Sequence, residues 1–288
     1  GVFSLRVDVD CEKGLVEGVP PILDVLEEFD VKASFYCLMG WEGDLKSTLK
    51  HRILRSRRFF ISNPAADSLG SRGEGGVSRL QGYLELAKKM IHPVKVTRNR
   101  EILDEVKARG HDLGVHGYIH VKWNNLNKDE MRREFQEMTS EYERLYGGKP
   151  AGLATPLGVH DEQVLSLAQE YGYRHVSYFG DEIYSHSLGG GDSMIVCIPV
   201  NVGAPDNIPI IQYYKMMGLS DEKAAAKAYN LVEERLRDKR YASIYCHPKY
   251  EGRGGLKALK SFISKVSGSG VESKKFSEIE YTWREDSS

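Results

Sequence analysis

No stretch of this 288-residue chain approaches the ~20 consecutive apolar residues that a membrane-spanning helix requires. No secretory apolar core stands near the start either, so a cytoplasmic location is expected, at most peripheral to the inner membrane face. The first residue is Gly1 rather than Met, which points to processing or to residues left over at the N-terminus. Cysteine is sparse: Cys11, Cys37, Cys197 and Cys246 form no C-x-x-C pair and suggest no disulfide framework. Reduced, mostly buried thiols are the expectation. Cys246 adjoins His247, but Cys–His nucleophile pairs are usually built from residues distant in sequence. No internal repeat is visible. Net charge is also nearly absent, with 40 Lys and Arg against 41 Asp and Glu. Hydrophobic residues at 41% and charged residues at 28% exclude disorder, collagen-like repeats and coiled coil as whole-chain descriptions. A fold of this length buries roughly 75% of its unfolded surface, enough to need neither disulfide nor structural metal.

The neutral total hides an asymmetry. Residues 46–100 hold 13 basic and 3 acidic residues, a net of +10, so the remainder carries −11. Such opposition suggests a surface for phosphate, membrane headgroups or nucleic acid, although charge runs are often solvated faces.

Strand and helix patterns alternate along the chain. Residues 3–10 alternate strictly, with Leu5, Val7 and Val9 on one face and Ser4, Arg6, Asp8 and Asp10 on the other. A helix is predicted at about 18–29, with Pro20 and Pro21 near its first turn, then a strand at 31–38. Residues 40–98 are less regular, with basic amphipathic stretches around Leu49–Leu54 and Leu80–Ile91 separated by a Gly/Ser/Asn-rich loop. Alternation resumes with helices at 99–109, 128–146, 161–171, 220–238 and 255–266. Strands are predicted at 111–116, 151–155, 173–178, 194–200, 241–247 and 271–276. Asn127 followed by Glu130 reads as a capping box. This order predicts an α/β fold, a distorted (β/α) barrel of seven or eight mostly parallel strands. One domain over 1–288 is expected, with a basic helical insertion at about 41–98.

Three groups of residues carry chemistry. Asp8 and Asp10 share one face at the C-terminal end of the first strand, where α/β barrels place catalytic groups. Two carboxylates on a strand that is otherwise apolar need a cation: a metal, or Arg6. An Arg6–Asp8 ion pair with Asp10 as a cap is the plainer reading. His116 and His120 lie four apart, a spacing that lets two imidazoles face one point. Alone, the spacing is weak; beside the Asp-x-Asp strand end, it suggests a three-ligand catalytic metal site. His247 ends a late apolar strand and fits a general acid or base, or a solvated loop histidine. The other six histidines are read as structural.

The set RVDVD, HGYIH and a strand-terminal histidine resembles the polysaccharide deacetylase family (carbohydrate esterase family 4, NodB-homology domain). The likeness is closer to its polyprenyl-phosphate formamido-arabinose deformylases, through LRVDVDCEKGLVEGVPPILDVL, SNPAADSLG, IPV at 198–200 and HPKYEG. It is strongest at 5–40 and 110–120, and weak at 150–195. The resemblance implies Asp8 as general base and Asp10, His116 and His120 as ligands of one divalent ion, zinc above others. It implies His247 as the general acid that protonates the departing amine, with Arg6 beside Asp8 to tune it. Two positions depart from the family. Its base-orienting Arg falls at Val159, in the run Pro156, Leu157, Gly158, Val159, where Arg6 or His160 would have to substitute. A family Asp falls at Tyr178. The first motif is Asp-x-Asp rather than adjacent aspartates.

Amide hydrolysis needs an activated water, a polarised carbonyl and a proton for nitrogen. A divalent ion, a carboxylate and a near-neutral histidine supply these. The expected reaction is removal of an acetyl or formyl group from an amino sugar, lipid-phosphate-linked or nucleotide-linked. The basic 46–100 region would then dock an anionic membrane surface, or form a helical cover over the barrel mouth. Four other readings compete. They are a catalytically impaired sugar- or lipid-binding relative, a metal-independent ring-amide hydrolase of the same fold, a two-histidine, one-carboxylate iron oxygenase, and a nucleic-acid binder. The last lacks any recognised module.

Overall fold

A computed structural model describes residues 1–42, 94–187 and 194–286. In chain order the elements are β1 (Val2–Val9), a π-helical turn (Gly14–Gly18), α1 (Val19–Glu28), β2 (Ala33–Cys37), β3 (Trp41–Glu42), β4 (Val94–Lys95) and α2 (Arg100–Ala108). They continue as β5 (Asp112–Val115), α3 (Lys128–Tyr146), β6 (Gly152–Ala154), α4 (Glu162–Tyr171), β7 (His175–Phe179), β8 (Tyr184–Ser187), β9 (Met194–Val200) and α5 (Ile210–Met216). The last are α6 (Asp221–Lys239), β10 (Tyr241–Cys246), α7 (Pro248–Glu251), α8 (Leu256–Gly268), β11 (Glu272–Ser273) and α9 (Phe276–Asp286).

The main sheet runs β10-β1-β2-β5-β6-β7-β9-β8, with β11 added beside β1. Every pairing is parallel except β8 with β9. The sheet curls into the distorted barrel that the alternation predicts. Its seam lies between β9 and β10. There Val202 N–H donates to Ser243 O at 3.0 Å. The Asn201 side chain accepts from Ser243 N–H at 2.8 Å and donates to Tyr241 O at 3.0 Å. One side-chain amide thus stands in for a strand ladder.

Two apolar layers result. The outer one packs Leu5, Val7 and Val9 of β1 with Leu23 and Leu26 of α1 and Phe262 and Ile263 of α8. The inner one joins Tyr36, Val196, Ile198 and Tyr241 to Phe276 and Ile279 of α9. Both faces of β1 are therefore covered: Ser4, Arg6 and Asp8 are as buried as Leu5 and Val7. The period-2 pattern separates barrel interior from helix layer, as parallel sheets require, rather than core from water.

The strand and helix expectations from β1 to α1 and from α2 to β11 hold to within a few residues, and the α3 capping box is present in both directions, at 3.1 and 3.0 Å. Elements not anticipated are β3, β4, β8, α5, α7, α9 and the π-helical turn. β8 reads YSHS, without apolar alternation, and α7 has only four residues. The basic stretches around 49–54 and 80–91, with SNPAADSLG, lie outside the described residues. Of the basic run, Lys95 pairs with Glu141 at 2.8 Å and Arg100 with Asp104 at 3.2 Å. No helix among the described residues is long and apolar enough to cross a membrane.

Candidate active site

The six residues singled out from sequence converge at the C-terminal ends of β1, β5 and β10. Arg6 and Asp8 lie within β1, Asp10 just past it, His116 and His120 just past β5, and His247 just past β10. Arg6 donates to Asp8 twice, from Nε to Oδ1 at 2.7 Å and from Nη2 to Oδ2 at 2.6 Å. Its Nη1 donates to Ser177 Oγ at 3.1 Å. The guanidinium lies between 5.4 and 5.8 Å from the ring centres of Tyr36, Phe179 and Tyr245. Burial works against the Arg6 charge, but Asp8 outweighs it and the pKa rises. The plainer reading of this pair is half right. Arg6 and Asp8 do form a buried ion pair, but Asp10 faces histidines instead of capping a helix.

Asp10 Oδ1 lies 3.2 Å from His116 Nε2 and 3.7 Å from His120 Nε2. Its Oδ2 lies 3.4 Å from His247 Nε2. One ligand atom from each of Asp10, His116 and His120 falls within 4.8 Å of the others, and no other such cluster occurs among the described residues. His116 is fully enclosed, with its N–H on Cys37 O at 2.9 Å and its Nδ1 on Ala154 O at 2.7 Å. A carbonyl can only accept, so Nδ1 carries the hydrogen and Nε2 of the neutral ring is a bare lone pair. That lone pair faces Asp10 Oδ1, a buried oxygen with no hydrogen-bond partner. Two acceptors 3.2 Å apart repel unless a proton on Nε2 or a metal cation lies between them. The donor set, an imidazole with its far nitrogen on a backbone carbonyl and a carboxylate with an orphan oxygen, fits a divalent ion such as zinc.

Burial raises the Asp10 carboxyl, but His120, His247 and His116 together hold it far below the usual carboxylate range. Burial lowers His116, yet Asp8 and Asp10 raise it overall. For His120, burial prevails and its pKa falls.

His160 does not substitute for the family Arg. Its Nε2 bonds Tyr184 Oη, and its ring stacks on Tyr178 at 4.3 Å. The run that lacks Arg turns through Leu157 at φ 56° and Gly158 at φ 69°. A Cβ at Gly158 would lie 2.2 Å from the Phe179 ring, so only glycine fits. Among the described residues, it is Arg6 that holds Asp8.

Sequence reasoning missed two buried carboxyls. Glu134 of α3 accepts from Tyr118 N–H and Ile119 N–H at 3.0 and 3.1 Å. It stands on the apolar stripe of Met131, Phe135 and Met138, where an acidic residue is out of place, and that was its signal. Glu251, fully buried, accepts from His247 N–H at 2.8 Å. Its signal was only its place in HPKYEG. Burial pushes Glu134 up to about 7 and Glu251 up to about 8.

A family model described as polysaccharide deacetylase matches residues 78–176. A relative from Shewanella sediminis (strain HAW-EB3), named a probable 4-deoxy-4-formamido-L-arabinose-phosphoundecaprenol deformylase, is 25% identical over 227 residues, 73% of this chain and 68% of its own. Among solved structures, a putative polysaccharide deacetylase from Mycobacterium smegmatis superposes with a TM-score of 0.65 at 20% identity, over 99% of this chain and 91% of that one. A Puue allantoinase superposes with a TM-score of 0.64 at 13% identity, over 98% and 89%. These matches agree in kind: a polysaccharide deacetylase model fits residues 78–176, the barrel is that of solved deacetylases, and over most of its length the chain is similar to a formamido-arabinose deformylase.

Proposed function

We propose that this protein is a metal-dependent hydrolase that removes an N-acyl group, acetyl or formyl, from an amino sugar. The observation that carries this reading is the convergence of His116 Nε2 and His120 Nε2 on Asp10 Oδ1, a buried oxygen with no hydrogen-bond partner. Asp10, His116 and His120 would hold one divalent ion, zinc above others. When bound, such an ion polarises a carbonyl and lowers the pKa of its water from 15.7 to roughly 7.

The remaining steps belong to side chains. Asp8 is the base: the Arg6 fork takes one lone pair on each oxygen and fixes the carboxylate plane. The second lone pair on each stays available to a water proton. His247, 3.4 Å from Asp10 Oδ2, returns a proton to the departing nitrogen. Burial of Arg6 and Asp8 excludes bulk water from the base.

The carrier we favour is a lipid phosphate. Support comes from the substrate in the name of the Shewanella relative and from the net charge of +10 over residues 46–100, which suits an anionic membrane face. A nucleotide-linked sugar is the other carrier considered. A second reading, a sugar- or lipid-binding relative without turnover, draws on Val159 and Tyr178 in place of the family's Arg and Asp.

The test is metal content with turnover of N-formyl and N-acetyl amino sugars on lipid-phosphate and nucleotide carriers. Asp8→Asn is expected to keep one ion per chain and lose about 10²–10⁴-fold in rate. His116→Ala is expected to lose both. A parent with one ion and no turnover on any of these would favour the second reading, and unimpaired turnover in Asp8→Asn would remove Asp8 as the base.

A further inference from the structure

The two histidines of the metal cluster are held by different means. His116 is fixed on both sides by neighbouring strands, through Cys37 O and Ala154 O. His120 lies beyond the strand ladder, at the end of the loop Gly117–Ile119. That loop turns sharply at Gly117, φ 91°. Its ties to the barrel are few. Gly117 O accepts from Met39 N–H at 2.9 Å. Tyr118 O approaches Gly40 so closely that a Cβ there would lie 2.2 Å away. The Tyr118 side chain packs against the core, and the loop backbone is held by one carboxylate: Glu134 Oε2 accepts from both Tyr118 N–H and Ile119 N–H. Glu134 is only 7% exposed and stands on α3 beside Met131, Phe135 and Met138. A charged residue on an apolar stripe costs stability. Its pKa is raised chiefly by burial and only partly restored by the two loop amides.

We infer that Glu134 is the positioning residue for His120: it sets where the second imidazole stands relative to Asp10 and His116, and thereby sets metal affinity. It touches neither ion nor substrate. The inference rests on the metal site proposed above but not on the reaction. The two peptide N–H groups it receives are consecutive, so one carboxylate oxygen holds both peptide units. Releasing it frees two residues immediately before the ligand. Partners that orient ligands in this way typically account for 10–100-fold in metal affinity.

The probe is Zn²⁺ alone, titrated against a chromophoric chelator, with Co²⁺ absorption as the coordination signature. Three variants are compared with the parent. Glu134→Gln retains an oxygen that accepts both N–H groups, and is expected to bind within about threefold of the parent. Glu134→Leu removes the acceptor while preserving bulk, and is expected to bind about 10–100-fold more weakly with an altered Co²⁺ spectrum. Glu134→Asp shortens the reach and is expected to weaken binding likewise; it decides the matter if the Leu variant does not fold. A purely structural role would lower the unfolding midpoint of the metal-free protein and leave the affinity of the folded fraction unchanged. Parental affinity in both Leu and Asp variants overturns the inference and leaves the hydrolase reading intact. A parent that binds no Zn²⁺ overturns both.

Discussion

Arg6 and Asp8, two residues apart on one strand, meet in a planar fork of 2.7 and 2.6 Å inside the barrel. Both are almost wholly buried, so neither charge has water to fall back on. Removing one partner of such a pair typically costs about 3–5 kcal/mol. Arg6→Met is therefore expected to lower the urea midpoint strongly, because Asp8 is left buried and unpaired. The double change Arg6→Met, Asp8→Asn is expected to recover much of that loss. Equilibrium unfolding of the four proteins in the cycle checks this.

Chelation is expected to destabilise the protein. Without an ion, Asp10 Oδ1 and His116 Nε2 face each other at 3.2 Å. Zinc at 100 times its dissociation constant stabilises a folded protein by about 2.7 kcal/mol. Thermal melts with zinc and with chelator should separate in the parent and coincide in Asp10→Asn and His116→Ala.

Glu251 gives a pH signature. Its folded pKa is raised to about 8 from an ordinary 4.5, chiefly by burial. Its carboxyl is protonated more readily folded than unfolded, so its contribution is fully present below its unfolded value. That contribution is lost as pH rises towards the folded one, at no more than about 1.4 kcal/mol per unit. Glu251→Gln cannot ionise, and the difference in unfolding free energy between it and the parent is expected to grow from pH 5 to pH 8. A difference that stays constant across that range would show that Glu251 does not titrate there.

Gly18 sits against the helix that follows His247. A Cβ on Gly18 would lie 2.1 Å from Pro248 O, a backbone atom that cannot swing aside. Gly18→Ala is expected to displace Pro248 and with it His247. In an acyl-sugar assay, turnover should fall at least tenfold while metal content stays at the parental level. Metal loss in this variant would mean that the Asp10 loop moves instead.

How much of this was legible beforehand depends on the range of the interaction. The Asp8–Asp10 spacing placed both carboxylates at one strand end, and the four-residue gap brought His116 and His120 to one ion-sized space, because both are local geometry. The polar face of β1 called for a cation, and Arg6 supplies one to Asp8. That Asp10 would be left to the histidines required knowing that β1 is covered on both faces. Glu134 and Glu251 left only faint signals, and their roles were hidden for a different reason. Each acts on backbone amides, Glu134 on a loop fifteen or more residues away, and backbone donors leave no trace in a pattern of residue types. His160 shows the converse. Proximity in sequence suggested a substitute for the missing Arg, yet its ring belongs to the Tyr178–Tyr184 stack.

The Asn201 seam has a mechanical consequence. Cut at that line, the sheet begins β10-β1-β2-β5, and on these four neighbours in unbroken register ride Asp8, Asp10, His116 and His247. The seam lies at the outer edge of that slab rather than through it. The four groups are therefore aligned by strand ladders that never pass through the Asn201 clasp, and the far half, β6, β7, β9 and β8, reaches them through two side-chain bonds, His116 to Ala154 O and Arg6 to Ser177.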